Sequence, residues 1–187
     1  MSEYPAWLAE NLLSVGLFRW DKAQKTDLPG FLAKYNLHDS YWFGLYISPG
    51  DQATAIIQWD IGHPIYQYPD LFSKDVWGTY KWPFLLINFY PPPHQILFSG
   101  DKSAEYRANI SFASSKIVSA QDRDMMLNLA ITQSHLEDRM KDFYLNDDLC
   151  QTIIEIIGGE IHLFHDAEKV EFLCMNWDGE ILEIPGI

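Results

Sequence analysis

The chain has 187 residues, of which 48% are hydrophobic and 21% charged; this composition excludes an intrinsically disordered protein. The length fits one domain and no linker or low-complexity segment divides the chain, so we expect a single domain over residues 1–187. The net charge is −13, and residues 137–187 hold 13 acidic and only 3 basic residues. Such a charge repels phosphate backbones, which argues against nucleic acid as a partner. It attracts a basic protein surface, or it serves solubility alone.

No segment predicts export or membrane insertion. Residues 1–20 lack a continuous apolar run, because Glu3, Glu10 and Arg19 interrupt them. Residues 82–87 are among the longest apolar runs and are far too short to span a bilayer. We therefore expect a cytoplasmic protein without membrane contact.

The first elements in chain order are predicted to be two short helices. Residues 5–17 place apolar side chains near helical spacing, with Pro5 suited to a first turn and Gly16 to the end. Residues 27–35 predict the second helix, with Asp27 as its N-cap.

The pattern then changes to strands. β-prone runs follow at 41–47, 54–61, 82–90, 96–99 and 106–118. A turn-forming cluster at 48–51 predicts that the first two runs form a hairpin, and Pro83 should lie at the start of its strand or on a sheet edge.

The last third of the chain mixes ambiguous and clear signals. Residues 121–146 are compatible with a helix, and residues 149–157 fit either a helix or a strand. Asp178-Gly179, between β-prone runs at 169–176 and 180–184, predicts a hairpin. Taken together, the elements predict an α+β fold, with a mostly antiparallel sheet and a few flanking helices.

The histidines raise the alternative of a metal-assisted hydrolase. Two His-Asp pairs occur, His38-Asp39 and His165-Asp166, and the hydrolase would use the side chains of His38, Asp39, His162 and His165. Neighbouring residues on a strand point to opposite faces, so a His-Asp pair there does not converge, and no third ligand accompanies the two later histidines. Cys150 and Cys174 are expected to be reduced, buried thiols. We therefore expect no catalytic residue, no bound metal and no cofactor.

An aromatic cluster offers a different function. Trp77 and Tyr80 flank Gly78 in a loop-like stretch, where aromatic side chains either anchor an interface or cap the core. A structural or oligomerisation module built around this stretch is a further alternative.

The string Leu37-His38-Asp39-Ser40-Tyr41-Trp42 resembles a motif in small bacterial proteins of immunity type. The match covers residues 36–47, with 165–178 as an echo. The resemblance implies an α+β domain that neutralises a toxin by binding it, but it assigns no residue.

The charge distribution supplies the candidate residues. If the partner is a basic toxin domain, the acidic C-terminal region should meet it, together with the two aromatic residues above. The predicted binding residues are Asp147, Asp148, Glu168, Glu171, Asp178, Glu180, Trp77 and Tyr80.

Overall fold

The fold is that of a computed structural model. It describes residues 5–13, 18–35, 37, 40–48, 52–60, 74, 78, 81–89, 96–100, 109–117, 119, 121, 149–156, 159–166 and 170–184.

These residues form two helices, one 3₁₀ turn and ten strands. The helices are α1 (Ala6–Leu13) and α2 (Leu28–Lys34), with the 3₁₀ turn at Trp20–Lys22 between them. The strands are β1 (Gln24–Lys25), β2 (Ser40–Ser48), β3 (Gln52–Gln58), β4 (Phe84–Phe89), β5 (Ile96–Gly100), β6 (Asn109–Ile117), β7 (Leu149–Ile156), β8 (Gly159–Asp166), β9 (Val170–Met175) and β10 (Ile181–Leu182). With eight and seven residues, neither of these two helices has the length that a bilayer crossing requires.

All ten strands belong to one hydrogen-bonded sheet in the order β1-β9-β4-β3-β2-β6-β7-β8-β5, with β10 paired to β9 beside β1. Every pairing between these strands is antiparallel. The described residues therefore confirm the expectation of a mostly antiparallel sheet with few helices.

A narrow joint divides the sheet into two halves. β2 pairs with β6 at only two positions, Ser40 with Ile110 and Tyr41 with Asn109. We call β1, β9, β10, β4, β3 and β2 the larger half-sheet, and β6, β7, β8 and β5 the smaller half-sheet.

The main core lies between the two halves. Buried residues of β7 and β8, such as Ile154 and Leu163, share one apolar cluster with buried residues of β4 and β9. The rings of Phe89 and His165 meet across it at 4.8 Å between centroids. Helix α2 closes the same core, because Phe31 stacks on Phe172 at 4.4 Å.

The larger half-sheet also has a covered outer face. Helix α1 lies on it, and Trp7 packs edge-on against Phe84 at 5.5 Å between ring centroids. Because both of its faces are covered, β4 is buried along its whole length. A continuous apolar strand is the sequence signature of such two-sided burial.

Local sequence signals explain several element ends. An oxygen of Asp27 accepts a hydrogen bond from the Gly30 N–H at 2.7 Å, which confirms Asp27 as the N-cap of α2. Strand β4 begins directly after Pro83, as predicted. Gly179 in the C-terminal hairpin has a φ of 87°, a conformation that glycine adopts without strain, and a Cβ at this position would lie 3.0 Å from Trp7 Cδ1.

The structure also settles one ambiguity and adds elements that the sequence did not predict, among them β1 and β8. Residues 149–156 are a strand, in which Cys150, Thr152 and Ile154 point into the core. Strand β8 follows at 159–166 and had no counterpart in the sequence prediction. The helix expected within 121–146 lies outside the described residues, apart from Gln121.

Candidate interaction surface

The registers of the sheet place one aromatic and two acidic residues at the same end of its outer face. Tyr41 pairs with Asn109, which is two residues before Ser111 on β6, and Ser111 pairs with Glu155. Glu155 in turn pairs with Glu160. Directly opposed residues share a face, as do residues two apart on a strand, so Tyr41, Glu155 and Glu160 belong to one face.

The C-terminal hairpin turn lies at this same end of the strands. Tyr41 pairs with Gln58, Gln58 with Phe84 and Phe84 with Met175, after which the turn begins. The turn carries Asp178 and Glu180, both exposed. We define Tyr41, Glu155, Glu160, Asp178 and Glu180 as the acidic rim.

The turn is held in one conformation by a buried side chain. Asn176 is 6% exposed. Its Oδ1 accepts hydrogen bonds from the backbone N–H groups of Asp178 and Glu180, both at 2.9 Å, and its Nδ2 donates to Glu180 Oε2 at 2.8 Å. The backbone that carries the two carboxylates is therefore fixed before any partner arrives.

On the smaller half-sheet the rim keeps two like charges side by side. Glu155 is exposed, and the Glu160 side chain is 45% exposed. Like charges directly opposite each other on a sheet destabilise the pairing. A cationic group of a partner would relieve this repulsion.

A histidine positions one of these carboxylates. His162 Nε2 lies 2.9 Å from Glu160 Oε2, and Gln151 Nε2 lies 3.3 Å from His162 Nδ1. Because the Gln151 amide nitrogen can only donate, a neutral His162 accepts at Nδ1 and donates from Nε2 to Glu160. The Glu160 carboxylate is thereby oriented along its own strand.

Half-exposed aromatic rings lie between the two acidic hairpins. The ring of Trp82 is 5.6 Å from that of Tyr41, which is 40% exposed. Lys81 Nζ lies 5.6 Å from the centre of the Trp177 ring, and Trp7 Nε1 donates to the Trp177 carbonyl at 3.1 Å. The end of the aromatic stretch predicted from the sequence thus reaches the rim, although Trp77 and Tyr80 themselves lie outside the described residues.

Of the acidic residues predicted from the sequence, Glu171 has a different environment. It ends a polar row across the outer face of the larger half-sheet, with its side chain 13% exposed. Lys25 Nζ lies 2.9 Å from Glu171 Oε1, and Asn88 Nδ2 donates to Glu171 Oε2 at 3.5 Å. The Thr54 hydroxyl donates to Asn88 Oδ1 at 3.3 Å. The Glu171 side chain is therefore largely buried, whereas the Glu160 side chain is 45% exposed and Glu155, Asp178 and Glu180 are exposed.

The remaining predicted residues lie outside the described part of the chain. They are Asp147, Asp148 and Glu168.

The two later histidines lie on opposite faces of β8, as expected for residues three apart on a strand. His165 is fully buried on the inner face, whereas His162 is half-buried on the outer face. They therefore do not share a metal ion. Within the described residues, no group of three or more His, Cys, Asp or Glu side chains is placed to hold one. His38 and Asp39 lie outside those residues.

His165 is a polar member of the main core. Its Nδ1 lies 3.0 Å from the Asp166 carbonyl, which can only accept, so Nδ1 carries the hydrogen. Its Nε2, 2.8 Å from the Thr152 hydroxyl, is then the acceptor. Burial lowers the pKa of His165 to about 4, although the Asp166 carbonyl and carboxylate act in the opposite direction.

The cysteines are buried free thiols, as predicted. Burial raises the pKa of Cys174 to about 12, which keeps it protonated and unreactive at neutral pH.

Glu155 and Glu160 were not predicted from the sequence as surface residues. Ile156 pairs with Gly159, so only residues 157–158 connect β7 to β8. A two-residue connection containing glycine between β-prone runs is a hairpin signal. Applied to Ile157-Gly158, that rule would have placed the two glutamates opposite each other; applied to Gly158-Gly159, it would have shifted the turn by one residue.

No protein-family model, no curated protein and no solved structure matches this chain. The acidic rim is therefore interpreted from its own geometry.

Proposed function

We propose that the chain is an α+β partner-binding protein whose acidic rim binds a basic protein. In line with its resemblance to immunity-type proteins, the proposed partner is a basic toxin domain that the protein neutralises in the cytoplasm by masking it. The observation that carries the proposal is that two separate hairpins each carry two carboxylates at the same end of the strands of the sheet: Glu155 and Glu160 in one, Asp178 and Glu180 in the other.

Charge and shape contribute different parts of the binding. The carboxylates steer a basic partner before contact, which acts mainly on the association rate. The half-exposed rings of Tyr41, Trp82 and Trp177 supply apolar anchors between them. The acidic residues of 137–187 outside the described part extend the same attraction.

Carbodiimide cross-linking tests the proposal while the partner is still unidentified. This reagent joins a carboxylate to a lysine amine that touches it, so added to an extract of the native cells it captures the partner through the contacting residues. We expect the cross-linked peptides to contain Glu155, Glu160, Asp178 or Glu180, and to disappear in a variant with all four changed to Gln or Asn.

Asp21 and Asp27 serve as internal controls, because both are exposed. Cross-links concentrated on these two residues, with the four rim carboxylates unmodified by the partner, would overturn the proposal.

A further inference from the structure

The strands at the two edges of the sheet differ in length and in charge. At one edge lie β1 and β10, each of two residues, and β1 carries the charged Lys25. Short strands and lysines are the usual means of preventing an edge from pairing with another chain. At the other edge lies β5, which has five residues, Ile-Leu-Phe-Ser-Gly, without charge or proline.

Strand β5 is paired on one side among the described residues. It pairs with β8 over its whole length, from Ile96 with Leu163 to Gly100 with Gly159, and it ends the strand order. Alternate backbone groups of an edge strand point away from its neighbour. Within the described part of the chain, no other strand pairs with these outward groups.

The acidic rim adjoins this edge. Ser99 pairs with Glu160, and Glu160 pairs with Glu155, so the three residues occupy one row on the same face. Strands in a sheet are about 4.8 Å apart, so an added strand would lie about 10 Å from the backbone of Glu160. The residue between them in this row is Ser99, one of the smaller residue types.

Resting on the proposed function, we infer that the partner adds an extended, basic strand to the β5 edge. Its backbone pairs with β5, and its lysine or arginine side chains on the outer face reach Glu160 and Glu155. Charge decides the occupant. The net charge of −13 opposes a second copy of this chain, whereas a basic strand relieves the repulsion between the two glutamates.

Amide hydrogen exchange of the full chain, followed by NMR with and without a ten-residue peptide of alternating lysine and threonine, tests the inference. In the free protein, the amides of β5 that point away from β8 should exchange rapidly. At about 1 mM peptide they should slow by at least about tenfold, as hydrogen-bonded edge amides do.

Two peptides methylated on alternate backbone nitrogens, in opposite phases, separate strand addition from simple charge attraction. Both keep every lysine, but one of them lacks the donors that face β5 and should lose its affinity. Glu155→Gln with Glu160→Gln should weaken the unmethylated peptide, whereas Asp21→Asn with Asp27→Asn should not.

Three results would overturn the inference. The first is protection of the outward amides of β5 without peptide, which means that the chain itself or a second copy covers the edge; sedimentation at two concentrations tells these apart. The second is that peptide at about 1 mM leaves those amides unprotected. The third is equal affinity of both methylated peptides with sensitivity to the glutamate changes, which would remove strand addition and leave the acidic rim as the binding surface.

Discussion

The larger half-sheet and the β7–β8 hairpin of the smaller half-sheet differ in how far their two faces are buried. In the larger half, β4 is buried on both faces over all six residues. In the hairpin, Thr152 and Ile154 are buried, whereas Glu155 is exposed and His162 half-buried. The larger half therefore carries most of the apolar packing. The hairpin keeps the turn end of its outer face, at Glu155 and Glu160, available for polar contacts, whereas Phe164 farther along the same face is buried.

The largest effect should come from the main core, where α2 packs on the larger half-sheet. Phe31, 1% exposed and stacked on Phe172, changed to Ala should cost about 3–5 kcal/mol of unfolding free energy. Ile153→Ala, half-buried on β7, should cost about 1 kcal/mol or less. Urea unfolding measures both. Equal losses would remove the distinction between the two regions.

His165 is a titratable residue of the smaller half-sheet that is fully buried in the main core. Its pKa is lowered to about 4 in the folded protein, so the unfolded chain binds the proton more tightly. The stability that the neutral ring contributes is therefore complete above about pH 6.5 and is lost as the pH falls towards 4, by about 3 kcal/mol. His165→Gln should remove that part of the pH dependence in urea titrations at about pH 7, 5.5 and 4.5. An unchanged slope would contradict the burial of a neutral ring.

The C-terminal hairpin turn carries Asp178 and Glu180 of the rim and packs against Trp7 on the larger half-sheet. Gly179→Ala should cost about 1–2 kcal/mol for its left-handed backbone, and more because a Cβ would lie 3.0 Å from Trp7 Cδ1. Gly78→Ala is the matched control, since Gly78 has a φ of 79° and no described residue lies within 4 Å of a Cβ built there. Thermal melting of the two variants compares them. If Gly78→Ala costs as much, the packing against Trp7 contributes nothing.

The smallest expected effects on stability come from removing carboxylate charges, and their sign should differ between the two regions. Glu155→Gln with Glu160→Gln should raise stability by about 0.2–1 kcal/mol, because two opposed like charges are removed. Glu171→Gln should lower it by up to about 1 kcal/mol, because Lys25 loses its partner. Destabilisation by the double change would mean that the rim glutamates support the fold.

Local signals predicted much of the larger half-sheet. The Asp27 cap, the turn-forming cluster at 48–51 and the Asp178-Gly179 turn each act within a few residues, and their strands and helix form as expected. Tyr41 pairs with Asn109, and Glu171 is buried beside Asn88; both contacts are between residues that are distant in the chain. No periodicity encodes such contacts, so the sequence did not separate the engaged Glu171 from the exposed Asp178 and Glu180.

The central claim is tested most directly by the rate at which the protein associates with the partner identified by cross-linking, measured over a range of salt concentrations. Glu160→Gln with Asp178→Asn removes one charge from each hairpin of the rim. Asp21→Asn with Asp27→Asn removes the same charge elsewhere and keeps the α2 cap, because asparagine also caps.

We expect the rim variant to associate about tenfold more slowly than the control variant at low salt, with the two rates converging near 1 M salt, where the Debye length is about 3 Å. Equal rates for the two variants at every salt concentration would contradict the account.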